Sequence, residues 1–250
     1  MILQNITRAI RTQNWFAVAI EFVIVILGVV IGFQITAWAS DRADAERRAV
    51  ALDRLHDEIE NSINILVVVS GRYEELNAAR TEVIERLVSG GNLDGIDTGL
   101  NRTAAIATSF HPAFSPPQGV YSEIISSGML SSLGDAAFRD ALGDYQARIV
   151  FLQGQIDNSR LVATTRAGLT DFDYVRLEYA PGTMREVGHV IDWEAAANDP
   201  EFLQYLLAGH NPMRSMHRWW EDTLESARAV CAETGRLTGR TCDPPDGPVY

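Results

Sequence analysis

The first apolar segment of the chain is long enough to cross a membrane. It runs from Trp15 to Trp38, and only three residues between the two tryptophans are clearly polar: Glu21, Gln34 and Thr36. As a helix of ~1.5 Å rise per residue the segment would extend about 36 Å, more than a hydrocarbon core of ~30 Å. Tryptophans at both ends are typical of bilayer interfaces. The pattern predicts a transmembrane helix over residues 15–38 in a lipid bilayer, after a short cytoplasmic tail, residues 1–14.

A cleaved signal peptide is the alternative interpretation of this segment. Arg8 and Arg11 would form its basic region, and residues 37–39 its cleavage site, so that the mature chain would begin at Ser40. The apolar run over residues 16–33 is longer than the ~7–15 residues usual in signal peptides, and it contains an acid. The length therefore favours a retained anchor.

A second apolar stripe follows the anchor. Alternating steps of three and four residues meet nine apolar residues in eleven positions: Leu52, Leu55, Ile59, Ser62, Leu66, Val69, Tyr73, Leu76, Arg80, Val83 and Leu87. A period near 3.5 is typical of long helices packed at shallow angles, as in coiled coils. Glycines 90 and 91 supply a helix end. We expect one helix from the membrane to about residue 88, with Gly71 as a point where it could fray.

The middle of the chain predicts two more helices after an irregular loop, residues 89–117. A short helix is expected over 118–131, and Asp135 is a candidate N-cap for a long one. The same stepping there meets six apolar residues in six positions: Phe138, Leu142, Tyr145, Ile149, Leu152 and Ile156. This helix is expected to reach the region of Val175 and to run antiparallel to the first.

The last third predicts a turn at residues 180–182 and then two helices. Asp199 and Pro200 have the residue types of a helix start. Asn211 and Pro212 have the same pattern and predict the start of a last helix, which would run to about Glu233. The last apolar stripe is Met216, Trp220, Leu224, Ala227 and Cys231. No strand alternation is evident. The expected fold is all-α, an antiparallel up-and-down helical bundle over residues 39–235 with an irregular tail, 236–250.

One face of the anchor combines small residues with an acid. Gly28 and Gly32 have the GxxxG spacing that lets membrane helices approach closely, and Glu21 lies on the same face at 100° per residue. These three residues predict a helix-packing seam with a second copy or a membrane protein partner. The alternative is that the glycines are unspecialised and that Glu21 reaches the nearer interface.

Composition excludes several classes of function. The net charge is −12, which argues against nucleic acid as a partner because phosphate binding needs clustered cations. All 21 cations are arginine, so a P-loop, a pyridoxal enzyme or a protein kinase would lack its lysine. The five histidines have no tight metal-ligand spacing, and His56 with Glu60 is interpreted as a solvated pair. We expect no metal, no cofactor and no enzymatic activity.

Two cysteines and the flanking charges bear on location. Cys231 and Cys242 are close in sequence and are interpreted as a disulfide that ties the tail to the last helix, as suits an oxidising compartment. Two unpaired thiols are the alternative if the domain is cytoplasmic. Basic residues alone slightly favour a cytoplasmic domain, whereas net charge favours the opposite. We expect a bacterial inner-membrane protein with its C-terminal domain in the periplasm.

Three segments resemble a family of uncharacterised bacterial single-pass membrane proteins. They are the anchor from Ala19 to Trp38, the stretch from Val120 to Leu130, and the stretch from Phe138 to Tyr145. The family pattern has Gly before the acid, where this chain has Ile20, and Asn-Asn before the last Trp, where it has Thr36-Ala37. The resemblance implies a single membrane helix and a helical domain, and it implies no chemistry.

Two hypotheses for function remain open. The first is a membrane-anchored helical interaction, sensing or scaffold module without catalytic activity, oligomeric through the anchor and the first stripe. The alternative is an accessory subunit of a transport or proton-driven membrane complex that uses Glu21. Trp219, Trp220 and Tyr205 are interpreted as core or rim residues rather than as the lining of a ligand groove.

Overall fold

The computed structural model describes residues 15–106, 111–163, 171–179 and 187–244, most of them in helices. In chain order the elements are α1 (Trp15–Ser89), α2 (Gly99–Ile106), α3 (Gly119–Ser126), a short 3-10 helix (Met129–Ser132), α4 (Ala136–Ala163), β1 (Val175–Tyr179), β2 (Val187–Ile191), α5 (Trp193–Ala197) and α6 (Pro200–Thr238). The predicted all-α class is confirmed, and the first helix passes Gly71 without a break.

The chain divides into two compact units, Met1–Val50 and Ala51–Tyr250. In the first unit, every described side chain from Phe16 to Trp38 is exposed. This part of α1 is long and apolar enough to cross a membrane. The predicted cytoplasmic tail, residues 1–14, lies outside the described residues.

The second unit has a core made by α1, α4 and α6. Eight members of the α1 stripe are buried, including the polar Ser62 and Arg80, and so are all six members of the α4 stripe. The five predicted α6 positions are buried as well, with Trp220 fully enclosed and packed against Tyr73 and Phe114. The stripes therefore identified part of the core of all three helices, and other buried positions, such as Ile63, Met213 and Val230, lie outside them.

The helix expected to run antiparallel to α1, α4, runs parallel to it instead. Three side-chain pairs join α4 to α6 with numbers that run in opposite senses: Asp135–Arg236, Arg148–Asp222 and Phe151–Trp219. Two pairs do the same for α1 and α6: His56–Thr234 and Tyr73–Trp220. Both helices are thus antiparallel to α6, and α1 runs parallel to α4. The long connection through α2 and α3 returns the chain before α4 begins.

The connection expected to be irregular contains a helix, α2. Thr98 caps it, because its hydroxyl oxygen accepts a hydrogen bond from the backbone N–H of Asn101 at 3.0 Å. Ala104 and Ala105 are buried, and the Ala104 carbonyl accepts from Nε of Arg80 at 3.0 Å. Burial against α1 stabilises eight residues that would be marginal as an isolated helix.

Two short strands were missed by the sequence interpretation. The described part of α4 runs to Ala163, and Val175, which this helix was expected to reach, opens β1 instead, which pairs antiparallel with β2. Val175 and Ile191 are paired and both are buried in a second core with Trp193, Phe202 and Leu206. Alternation over five residues was too short to recognise. The turn predicted at 180–182 lies outside the described residues.

Helix α6 does not restart at Pro212, so that prediction was wrong. It runs unbroken from Pro200 to Thr238 with Pro212 inside it. An internal proline costs about 3 kcal/mol, and buried side chains on both sides, Leu206 and Met213 among them, offset this. The predicted start at Asp199 is confirmed, since its side chain accepts from the Glu201 N–H at 2.8 Å.

Candidate functional sites: a tail site and an arginine cleft

The predicted anchor seam forms an open face of the single chain. Glu21, Gly28 and Gly32 are exposed, and a Cβ added at either glycine would meet no atom within 4 Å. Space for a close helix–helix approach is therefore present. The packing role of these three residues stays a prediction.

A polar site lies where the C-terminal tail meets α1 and α6, and we call it the tail site. Its buried members are His56, Glu60 and Thr234, and its exposed members are Arg240, Thr241 and Asp243. The ring atom Nδ1 of His56 lies 2.8 Å from the Thr234 hydroxyl, and Nε2 lies 3.1 Å from the Thr241 carbonyl oxygen and 3.3 Å from Glu60. The expectation of a solvated His56–Glu60 pair was wrong, because both residues are buried.

The tail is held on this site by hydrogen bonds and a disulfide. The Asp243 N–H donates to Glu60 at 2.6 Å. Arg240 lies 2.7 Å from Asp57 and 3.4 Å from Glu60, and the hydrogen bond to Asp57 raises the pKa of Arg240. In the structure Cys231 and Cys242 are joined by a disulfide with their Cα atoms 5.7 Å apart.

Donor atoms at the tail site are close enough to suggest a metal. The side-chain ligand atoms of His56, Glu60 and Cys231 lie within 4.8 Å of one another. A metal would need the thiolate of Cys231, and that sulfur is bonded to Cys242. In this oxidised form the arrangement therefore holds the tail.

A second polar site is an open cleft between α1 and α6, and we call it the arginine cleft. Its volume is about 460 Å³. The lining residues are Asn77, Ala78, Thr81, His210, Arg214, His217, Arg218 and Glu221. The five residues from α6 follow helical spacing and form one polar stripe beside the buried one.

Several polar atoms of the arginine cleft have no partner. The Nδ2 and Oδ1 atoms of Asn77 and the Nδ1 atom of His210 are buried and make no hydrogen bond within the described part of the chain. No ion pair of Arg214 or Arg218 is found among the described residues either. His217 Nε2 lies 3.5 Å from Glu221, the single acid of the lining.

The cleft has a positive electrostatic environment. The pKa of His210 is lowered, first by burial and then by the positive charges of Arg214 and Arg80. Arg80 is itself buried, and burial lowers its pKa to about 10. Its guanidinium donates to the Ala104 carbonyl, a neutral acceptor, so no carboxylate cancels its charge there.

The sequence interpretation missed this cleft, although the polar stripe that α6 contributes to it is visible in the sequence. Two histidines and two arginines recur along α6 at helical spacing: His210, Arg214, His217 and Arg218. The histidines were judged for metal-ligand spacing alone. Asn77 and Thr81 come from α1, and only the folded chain brings them to α6. Trp220 is a core residue and Trp219 packs on Phe151.

Residues 21–166 match the family of unknown function DUF6090. The match covers more than half of the chain, and the chain belongs to this family. It begins within the anchor and ends just after α4, so most of the arginine cleft lies beyond the matched residues. No curated protein matches the chain significantly. The same holds for the solved structures.

Proposed function

We propose that this chain is a membrane-anchored helical interaction or sensing module with no catalytic activity of its own. The observation that carries the proposal is the exposed apolar surface of α1, where every described side chain from Phe16 to Trp38 is exposed. Contiguous apolar surface of this length marks a membrane or partner interface. Its length and flanking tryptophans suit a bilayer.

The proposed location is a bacterial inner membrane with the helical domain in the periplasm. The Cys231–Cys242 disulfide supports this, since such bonds persist in oxidising compartments. A reporter fused after Tyr250 tests the orientation, and we expect activity from a periplasmic reporter and none from a cytoplasmic one. The reverse result would overturn the proposed location.

Membrane retention is the direct test of the anchor. After a carbonate wash we expect the full-length chain in the membrane pellet, with an N-terminus that precedes Trp15. Recovery of the intact chain in the wash, or a mature N-terminus at Ser40, would refute the anchor. A variant with Val25→Asp and Val29→Asp serves as the release control, because charges in the helix centre oppose insertion.

The oligomeric part of the proposal is tested at the seam. Gly28→Leu places bulk on the face shared with Gly32 and Glu21, whereas Val30→Leu places the same residue on the opposite face. We expect crosslinked dimers or partner complexes in membranes to be lost with Gly28→Leu and kept with Val30→Leu. Equal crosslinking in both variants would count against the seam.

The alternative function, an accessory subunit of a proton-driven complex, depends on the one acid of the apolar segment. Glu21→Gln keeps the shape of the side chain and removes its charge. The proposed module predicts unchanged crosslinking and membrane retention in this variant. Loss of a cellular phenotype in Glu21→Gln with both properties intact would favour the alternative.

A further inference from the structure

We infer that the arginine cleft binds a small oxyanion from solution, one that carries carboxylate, phosphate or sulfate groups. Arg214 and Arg218 would hold the charged group, and Asn77 and His210 would pair with its other polar atoms. The inference supplies the proposed sensing module with a class of ligand, and it rests on that proposed function for its biological use.

The two arginines are placed as an anion clamp. They are one turn apart on α6 and both side chains are exposed at the cleft. Like charges at this spacing destabilise a helix, and neither arginine has an acid partner within the described part of the chain. The acid in the lining, Glu221, pairs with His217 instead. An oxyanion between the guanidiniums would remove the repulsion and form charge-assisted hydrogen bonds.

The unpartnered buried atoms indicate where the rest of the ligand would lie. Asn77 presents one acceptor and two donor hydrogens without protein partners in the described chain, and His210 presents Nδ1. Buried polar groups in native proteins almost always have a partner. These atoms are enclosed in the free protein, so the oxygen atoms of a ligand would pair with them once the Asn77 and His210 side chains turn toward the cleft.

The dimensions of the cleft agree with a small ligand. Its volume of about 460 Å³ lies within the ~300–1,000 Å³ common for small-molecule sites. A single tetrahedral anion would fill only part of this space. A dicarboxylate or an organic phosphate is therefore the better fit, with sulfate as a minimal probe.

Binding of an anion should take up a proton at His210. The polar groups that line the cleft with this ring are Asn77 and Thr81 from α1 and Arg214, His217, Arg218 and Glu221 from α6, and Arg80 acts on the ring through its charge. Burial, and after it the positive charges of Arg214 and Arg80, lower the pKa of His210 in the free protein. A bound anion adds the opposite charge and raises this pKa, so affinity should increase as pH falls.

Calorimetric titration of the full-length chain in nanodiscs of zwitterionic lipid tests the inference. Sulfate and succinate are titrated separately at constant ionic strength, since sulfate does not itself titrate between pH 5.5 and 8. We expect saturable binding of at least one probe. The double variant Arg214→Gln/Arg218→Gln should weaken it by about tenfold or more.

Arg228→Gln is the matched control, because it removes an exposed charge from the same helix, about 15 Å beyond Arg218 and about 21 Å beyond Arg214. Binding in this variant should stay within about twofold of the parent. No saturable binding of either probe, or an equal loss in Arg228→Gln, would overturn the inference. A circular dichroism spectrum checks that each variant remains helical.

A second readout separates a ligand contact from a structural role. His210→Gln should keep sulfate binding at pH 8 and lose the increase in affinity between pH 8 and pH 5.5. An unchanged pH dependence in His210→Gln would refute the role of His210. The titrations report on the cleft whichever side of the bilayer the domain faces, and a chain that the carbonate wash releases can be titrated in buffer without nanodiscs. This inference and the proposed membrane function can therefore fail separately.

Discussion

The tail site and the arginine cleft both lie between α1 and α6, and both contain a histidine. In the tail site each ring nitrogen of His56 has a polar partner within 3.1 Å. In the cleft Nδ1 of His210 has no partner in the described chain. The tail closes the first site, and nothing within the described chain closes the second.

The difference in pairing separates a structural polar site from one suited to a ligand. Glu60 is matched by Arg240, His56 and the Asp243 N–H, so its charge and hydrogen-bonding capacity are met by the protein. Arg214 and Arg218 lack such matches among the described residues. Substitutions in the tail site should therefore change stability, and substitutions in the cleft should change binding.

The largest expected difference is between the two histidines. His56→Ala should lower the free energy of unfolding by about 3 kcal/mol, because it leaves a cavity and removes one partner each from the buried Glu60 and Thr234. His210→Ala should change it by less than about 0.5 kcal/mol. Chemical unfolding followed by circular dichroism measures both, and equal losses would contradict the distinction.

The disulfide comes second. Replacing Cys231 and Cys242 together by alanine should lower the free energy of unfolding by about 2–3 kcal/mol, because the bond closes a loop of 11 residues in the unfolded chain. Sulfate binding at the arginine cleft should remain within about twofold. A loss of binding in the double variant would show that the two sites are coupled.

Removal of single acids should show a smaller effect. Glu60→Gln loses the attraction to Arg240 and His56 and should destabilise the fold by about 1 kcal/mol. Glu221→Gln in the cleft removes an exposed acid and should change stability by less than about 0.5 kcal/mol. Thermal unfolding at pH 7.5 compares the two variants, and the opposite ranking would be evidence against a structural tail site.

The smallest effect is a pH dependence. The pKa of His210 is lower in the folded chain, so the unfolded chain binds the proton more readily. Its contribution to stability is complete above the unfolded pKa of ~6.5 and is lost as pH falls below it. His210→Gln should flatten the loss of stability between pH 7 and pH 5.

His189 supplies the control for this measurement, because burial lowers its pKa as well and it lies on β2, outside the cleft lining. His189→Gln should also flatten part of the acid loss. Added sulfate should restore stability at pH 5.5 in the parent and in His189→Gln, and restore less in His210→Gln. Equal restoration in all three proteins would place the sulfate effect elsewhere.

Apolar periodicity predicted helices at α1, at α4 and over the second part of α6, and local capping residues predicted two helix starts. Asp199 caps α6 through the Glu201 N–H, and Asp135 accepts from the Phe138 N–H at 3.1 Å before α4. Predictions failed where packing overrode local signals. Pro212 suggested a helix start, and burial on both sides keeps α6 continuous.

The sequence by itself determined the apolar segment, the buried stripes and the helical class, because each depends on the spacing of residue types along one element. Only the tertiary structure decided which polar residues are buried and which of them lie together. His56 is buried where the tail folds back over it, and Asn77 lines the same cleft as Arg214 because α6 packs antiparallel to α1. Both arrangements join residues more than a hundred positions apart, and no local pattern encodes them.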